Sequence, residues 1–121
     1  MASYQQRQAL GTYGEDLAAR HLVAEGMRIL ERNYRCRFGE IDIVAVDGDT
    51  VVVCEVKTRS GLGYGTPAEA ITKAKAHRLR RLAAHWMNEH RVRSAGLRID
   101  VVTIVVPRNG PAQVERIEGI S

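Results

Sequence analysis

The stretch that decides the fold is GEIDIVAVDGDTVVVCEVKTR, residues 39–59. Two β-branched, apolar runs, 40–46 and 51–57, flank Asp47-Gly48, a strong hairpin signal. Inside these strands stand Asp42, Glu55 and Lys57, although an ionised group buried without a partner is strongly unfavourable. The turn has its own acids, Asp47 and Asp49. Those within the strands need another reason.

Glu55 and Lys57, two positions apart, share one face of their strand, with Val56 on the other. A two-residue loop at Asp47-Gly48 pairs Val46 with Asp49, and so Asp42 with Val53. A four-residue loop over 47–50 pairs Asp42 with Glu55 directly. Either loop sets Asp42 on the face of Glu55 and Lys57, whereas a three-residue loop breaks the parity unless a bulge restores it. Two adjacent carboxylates repel, and burial sharpens the repulsion. A divalent cation relieves both, and hard oxygen ligands suit Mg2+ or Mn2+. Mg2+ commonly keeps several waters and takes one or two protein carboxylates, leaving room for a phosphate oxygen and an attacking water. Lys57 beside that water would orient it or offset charge developing on phosphorus. The competing reading is a half-exposed strand with Glu55 and Lys57 as a solvent-facing pair and Asp42 alongside.

Upstream, apolar residues at helical spacing (Leu10, Tyr13, Leu17, Ala18, Leu22) predict a helix over 5–25 that stops at Gly26. A first strand is expected over 27–34. Downstream, a glycine-rich loop over 60–65 leads to a helix with Thr66 as N-cap, Pro67 in its first turn and Glu69 completing a capping box. Ile71, Ala74, Leu79, Leu82, Ala83 and Trp86 carry its apolar face to about Asn88. A β-branched strand over 98–106 ends at Pro107, and 113–117 suits an edge strand. The order α-β-β-β-α-β-β implies one α/β domain over residues 1–121, a central mixed sheet flanked by helices.

The length fits one core. The hydrophobic content of 45% is that of a globular chain, and the net charge of +4 makes an acidic partner plausible. Cys36 and Cys54, 18 positions apart, form no CxxC pair, and the four histidines do not complete a zinc site. Two free thiols in a reducing cytoplasm are expected. With no apolar leader and no segment apolar enough to span a bilayer, the protein reads as cytosolic, with no membrane partner.

Positive charge concentrates in the second helix. Between Pro67 and Arg93, seven cations (Lys73, Lys75, Arg78, Arg80, Arg81, Arg91, Arg93) face two acids, Glu69 and Glu89. Such a stripe suits a phosphate backbone read without base contacts, the alternative being a solvated helix face. Arg35, Arg37, Thr58 and Arg59 flank the proposed site and would contact neighbouring phosphates. The loop Gly61-Leu62-Gly63-Tyr64-Gly65 lacks the GK[ST] of a P-loop. It reads as an edge of a substrate groove with Tyr64 as a stacking residue, or as a plain linker. Asp100 follows Arg98 on a strand with alternate positions apolar and reads as an ion-pairing group, the alternative being a role in the site.

In order along the chain stand Gly11-Thr12-Tyr13-Gly14-Glu15, Arg32-Asn33-Tyr34, Gly39-Glu40-Ile41-Asp42, Glu55-Val56-Lys57-Thr58-Arg59, Tyr64-Gly65-Thr66-Pro67 and Arg98-Ile99-Asp100-Val101-Val102. With these segments the chain resembles the small bacterial YraN family, itself similar to archaeal Holliday-junction resolvases within the PD-(D/E)XK nuclease superfamily. The resemblance implies a restriction-endonuclease-like core and a metal-dependent endonuclease acting on structured or branched DNA. It assigns Asp42 and Glu55 to the metal, with the Val56 carbonyl as a further ligand, Lys57 to catalysis, and Glu15 to completing the site from the N-terminal helix. For Glu15, an exposed helix acid is the competing reading. One departure is the acid pair's missing proline, since Ile41 precedes Asp42. The resemblance also suggests a homodimer, because a four-way junction presents paired cleavage points. A nucleic-acid-binding module on the same fold that does not cut is the alternative. So is an interaction protein using the acids as a structural ion site. Single-stranded DNA and RNA remain open as partners.

Overall fold

The computed structural model describes residues 3–60, 71–93 and 96–120. Helix α1 (Tyr4–Ala24) is followed by β1 (Arg28–Cys36), β2 (Gly39–Asp47), β3 (Thr50–Ser60), α2 (Lys73–Glu89), β4 (Gly96–Val106) and β5 (Gln113–Ile117). This is the expected α-β-β-β-α-β-β order. The five strands form one sheet in sequence order. β1, β2 and β3 are an antiparallel meander, β4 runs parallel to β3, and β5 returns antiparallel. A parallel neighbour requires a crossover, and α2 lies on it.

Because side chains alternate along a strand, the central strands supply two cores. Val44, Val51, Val53, Ile99 and Val101 pack toward α2, against Leu79, Leu82, Ala83 and Trp86. Ile43, Ala45, Val52, Cys54, Val102 and Ile104 pack toward α1, against Ala18 and Leu22. Strands covered on both faces read as near-continuous apolar runs, and this is why β2, β3 and β4 do.

Local chemistry sets the ends. Ser3 caps α1 in a reciprocal capping box with Gln6, a signal absent from the sequence reading. Gly26, at φ +96°, takes the chain out of α1. Tyr13, expected on the buried face, is exposed, because the buried stripe is Gly14, Ala18 and Leu22. α2 begins at Lys73, with the Thr72 hydroxyl accepting from the Lys75 N–H at 3.1 Å. Ile71 is buried in the core just before it, outside the helix. The expected start at Thr66, Pro67 and Glu69, like Tyr64 and its loop, lies outside the described residues.

The β2–β3 hairpin closes with Asp47 paired to Thr50, leaving Gly48-Asp49 as the loop. Gly48 is at φ +62° and Asp49 is not at positive φ, as in a turn with glycine at its first central position. Val46 faces Val51, the register expected of the longer loop. Among the described residues, no helix is long and apolar enough to cross a membrane.

Candidate functional site

The β2–β3 ladder runs from the turn to Ile43 and Cys54, and there it stops. The next residues are Asp42 and Glu55. In place of a backbone partner, the Val56 N–H donates to Asp42 Oδ2 at 2.8 Å. In an extended strand a residue's N–H and C=O leave on the same edge, so the Val56 carbonyl also faces this opening. Across β2, the β1 ladder skips the same position. Arg32 pairs with Ile43 and Tyr34 with Ile41, while Asn33 between them is at φ +56°. Ile41 packs toward α2 and Ile43 toward α1, so strict alternation breaks at Asp42. The parity argument therefore holds for Glu55 and Lys57 and gives way at Asp42, which sits in a fork between the two faces.

Asp42 lines two recesses. The larger, about 840 Å³, opens on the α1 side and is bordered by Glu15, Asp42, Lys57, Thr58, Arg59 and Arg35 among others. The smaller, about 200 Å³, lies on the α2 side with Glu55, Lys75 and Arg78. Burial raises the Asp42 carboxyl to about 6, the Val56 N–H opposes the rise, and the charges of Glu55, Glu15 and Glu40 add to it.

Glu55 is 8% exposed and meets two ammonium groups, Lys75 Nζ at 2.6 Å and Lys57 Nζ at 3.3 Å. For Lys75, burial is the largest single influence and works against the charge, but the hydrogen bonds to Glu55 and Lys57 and the charges of Glu55 and Asp42 together outweigh it, and the ammonium is held above its ordinary range. Lys75 was read from sequence as part of the phosphate stripe. Here it turns inward and holds a site acid. The missed signal was its position beside the N-cap Thr72, where the first turn of α2 overhangs β3.

Glu15 reaches the larger recess from α1. Arg32 holds it at 3.3 Å and Asp16 at 2.7 Å, an arrangement that fixes the helix acids over β1. The approach depends on Gly14, because a Cβ there would overlap the Thr58 side chain on β3. Arg32 and Asn33 thus serve the site, though sequence reasoning gave neither a role. Their segment was conspicuous, but which face each would meet was not.

Asp42, Glu55 and the Val56 carbonyl make a hard-oxygen set of the kind Mg2+ or Mn2+ accepts alongside water. Among the described residues, no three Asp, Glu, His or Cys side chains are gathered into a ready-made metal cluster. A cation here would rest on two carboxylates and a carbonyl, in competition with Lys75 and Lys57 for Glu55. Of the remaining expected contacts, Arg35 pairs with Glu40 at 3.1 Å, and Arg37 lies over the Phe38 ring at 4.8 Å. Lys73, Arg78 and Arg81 are exposed along α2. Cys36 and Cys54 are free thiols. Burial, then the charge of Asp100, pushes Cys54 far above its ordinary range, so it is chemically quiet.

The profile of Uncharacterised protein family UPF0102 matches residues 14–104, a span that includes all four proposed site residues. A UPF0102 protein of Nocardioides sp. is 60% identical over 114 residues, covering 94% of this chain and 92% of its own. One from Streptomyces griseus is 54% identical over 116 residues, covering 95% and 98%. One from Kineococcus radiotolerans is 49% identical over the whole of both chains.

Proposed function

The chain belongs to Uncharacterised protein family UPF0102, and on that footing we propose that it is a metal-dependent endonuclease-like protein that hydrolyses phosphodiester bonds in structured or branched DNA. The observation that carries this reading is the fork, where Asp42, the Val56 carbonyl and the Glu55–Lys57 pair converge as the β2–β3 ladder ends. A PD-(D/E)XK relationship is the superfamily setting that this arrangement supports.

In this reading Asp42, Glu55 and the Val56 carbonyl hold Mg2+ or Mn2+, and Glu15 borders the same recess. When bound, the cation supplies charge stabilisation for the phosphodiester and lowers the cost of keeping both acids ionised. Lys57 positions the water that attacks phosphorus in line with the departing oxygen, and its ammonium offsets charge on the non-bridging oxygens. One P–O bond forms to the water oxygen, the P–O bond to the leaving sugar oxygen breaks, the water gives a proton to solvent and the leaving oxygen takes one from it. Arg35, Thr58 and Arg59 line the recess where flanking phosphates would lie. Among the described residues no element is placed to read bases, so strand geometry selects the substrate. A cytoplasmic location and a two-fold dimer complete the proposal, the dimer matching the paired strands of a junction.

One observation favours a second reading, a nucleic-acid-binding module that does not cut. Lys57 and Lys75 already neutralise Glu55 without a metal. Labelled junctions, flaps, single strands and duplexes incubated with Mg2+, Mn2+ or EDTA separate the two. Metal-dependent cleavage that falls on the order of a hundredfold in both Glu55→Ala and Lys57→Ala proteins supports hydrolysis. Tight binding with no cleavage under any metal overturns it in favour of the module.

A further inference from the structure

Beyond the acidic fork, one exposed aromatic side chain has no packing role that explains it. Phe38, the chain's one phenylalanine, stands in the turn between β1 and β2 and is 46% exposed. Its surroundings are cationic. The Arg37 guanidinium lies 4.8 Å from the ring centroid, and the His85 ring meets its edge at 5.3 Å. Arg78 and Arg81, one turn apart on α2, line with Phe38 a recess of about 170 Å³. Among the described residues, neither of these two arginines has a carboxylate partner. Arg78 also lines the recess of Asp42, Glu55 and Lys75, so the aromatic site and the acidic fork share a wall. Phe38 precedes Asp42 by four residues, roughly 13 Å of extended chain.

We propose that Phe38, with Arg37, Arg78 and Arg81, is a stacking subsite for an unpaired base of the nucleic acid whose backbone passes the Asp42–Glu55 fork. The proposal rests on the fork engaging phosphodiesters, and it adds what selects the substrate. Arginines alone attract any phosphate backbone, paired or not. An aromatic face offers an interaction available only to a base that has left its stack. In a duplex the faces are occupied by neighbouring base pairs. At a branch, flap or single strand they are free. A guanidinium lying over a phenyl ring is itself a plane on which a base stacks, so Arg37 extends the platform. The subsite therefore turns general phosphate affinity into a preference for unpaired positions a few nucleotides from the acids.

The test uses three DNA probes of matched sequence: a single strand, a flap with 2-aminopurine at its first unpaired position, and a blunt duplex. Binding is measured in EDTA, so that it does not depend on cleavage. The Phe38→Ala protein, its fold checked by circular dichroism, is expected to lose about tenfold in affinity for flap and single strand, and to keep duplex affinity within about twofold. The Phe38→Tyr protein retains the preference and the quenching of 2-aminopurine. The double Arg78→Ala, Arg81→Ala protein loses affinity for all three probes alike, with a shallower salt dependence. Equal affinity of Phe38→Ala and wild type for the flap overturns the proposal, as does failure of the wild type to bind any probe. Cleavage is scored separately with Mg2+. Selective flap binding through Phe38 without cutting keeps the subsite and removes the hydrolytic reading. Cutting with no Phe38 effect does the reverse.

Discussion

At the scale of single residues, Asp42 carries the most information. Its carboxyl ionises near 6 in the folded protein and near 3.8 in an unfolded chain. Between those values the folded state holds a proton that the unfolded state has lost. Stability therefore falls as pH rises through this window, and the penalty is complete above about pH 6. At about 1.4 kcal/mol per unit, it amounts to at most about 3 kcal/mol. Asp42→Asn keeps an acceptor for the Val56 N–H and removes the charge. In urea denaturation with EDTA, that variant is expected to be more stable than wild type at pH 7.5 and nearly equal at pH 4. A less stable variant at pH 7.5 contradicts the charge argument. Adding Mg2+ should raise the wild-type midpoint at pH 7.5 and leave the variant unmoved, by mass action on a site only one possesses. The sequence made Asp42, Glu55 and Lys57 conspicuous, because charged groups inside apolar strands are anomalous. It did not reveal the fork, which depends on the left-handed backbone of Asn33 and on where one ladder stops and its neighbour skips a pair.

At the scale of elements, the site depends on how closely α1 lies against β3. Gly14 makes that approach possible, since Thr58 occupies the space any side chain would need. Gly14→Ala is expected to cost about 1–3 kcal/mol through overpacking, and to reduce activity by displacing the neighbouring Glu15. Thr58→Ala in the same protein should recover part of the loss. A double-mutant cycle detects that coupling, and strict additivity would show that the two elements do not press on each other there. Hairpins and helices were legible from periodicity and turn residues: the Gly48 turn, the Gly26 stop and the Pro107 end all hold. The start of α2 was less legible. The cap of α2 is Thr72, a position that the pattern did not single out, while Thr66 and Pro67 lie outside the described residues. Lys75 then falls in the first turn, over Glu55, so a residue that pattern reading placed on an outward stripe faces inward.

At the scale of the whole molecule, Asp100 ties β4 to β5 and the segment that follows it. Its carboxylate is fully buried. It receives Arg98 Nε and Nη2 at 2.9 and 3.0 Å, Arg116 Nη1 at 2.8 Å and the Gly119 N–H at 3.0 Å. The sequence offered the Arg98 pairing, two residues apart. Arg116 and Gly119 come from β5 and beyond, and no local pattern announces them. Removing the acid takes one carboxylate from each of two arginines, which keep Asp47, Glu118 and Glu25, and leaves the Gly119 N–H without its acceptor, so Asp100→Ala should cost about 1–3 kcal/mol in urea denaturation. Nucleic-acid affinity measured well below the unfolding midpoint should be unchanged, and a selective loss of it would give Asp100 a part in the site. The sheet's mixed directions also set an order in time. β1, β2 and β3 join through turns of a few residues, whereas the parallel ladder joins Thr50 to Gly96, 46 positions away. Closing that long loop is entropically slow, so local hairpins precede it. Pulse-labelled hydrogen exchange during refolding should protect amides of 43–54 before those of 99–104. The acids and the lysine thus belong to the early-forming segment, and the outline of the site is drawn before the strand that backs it arrives.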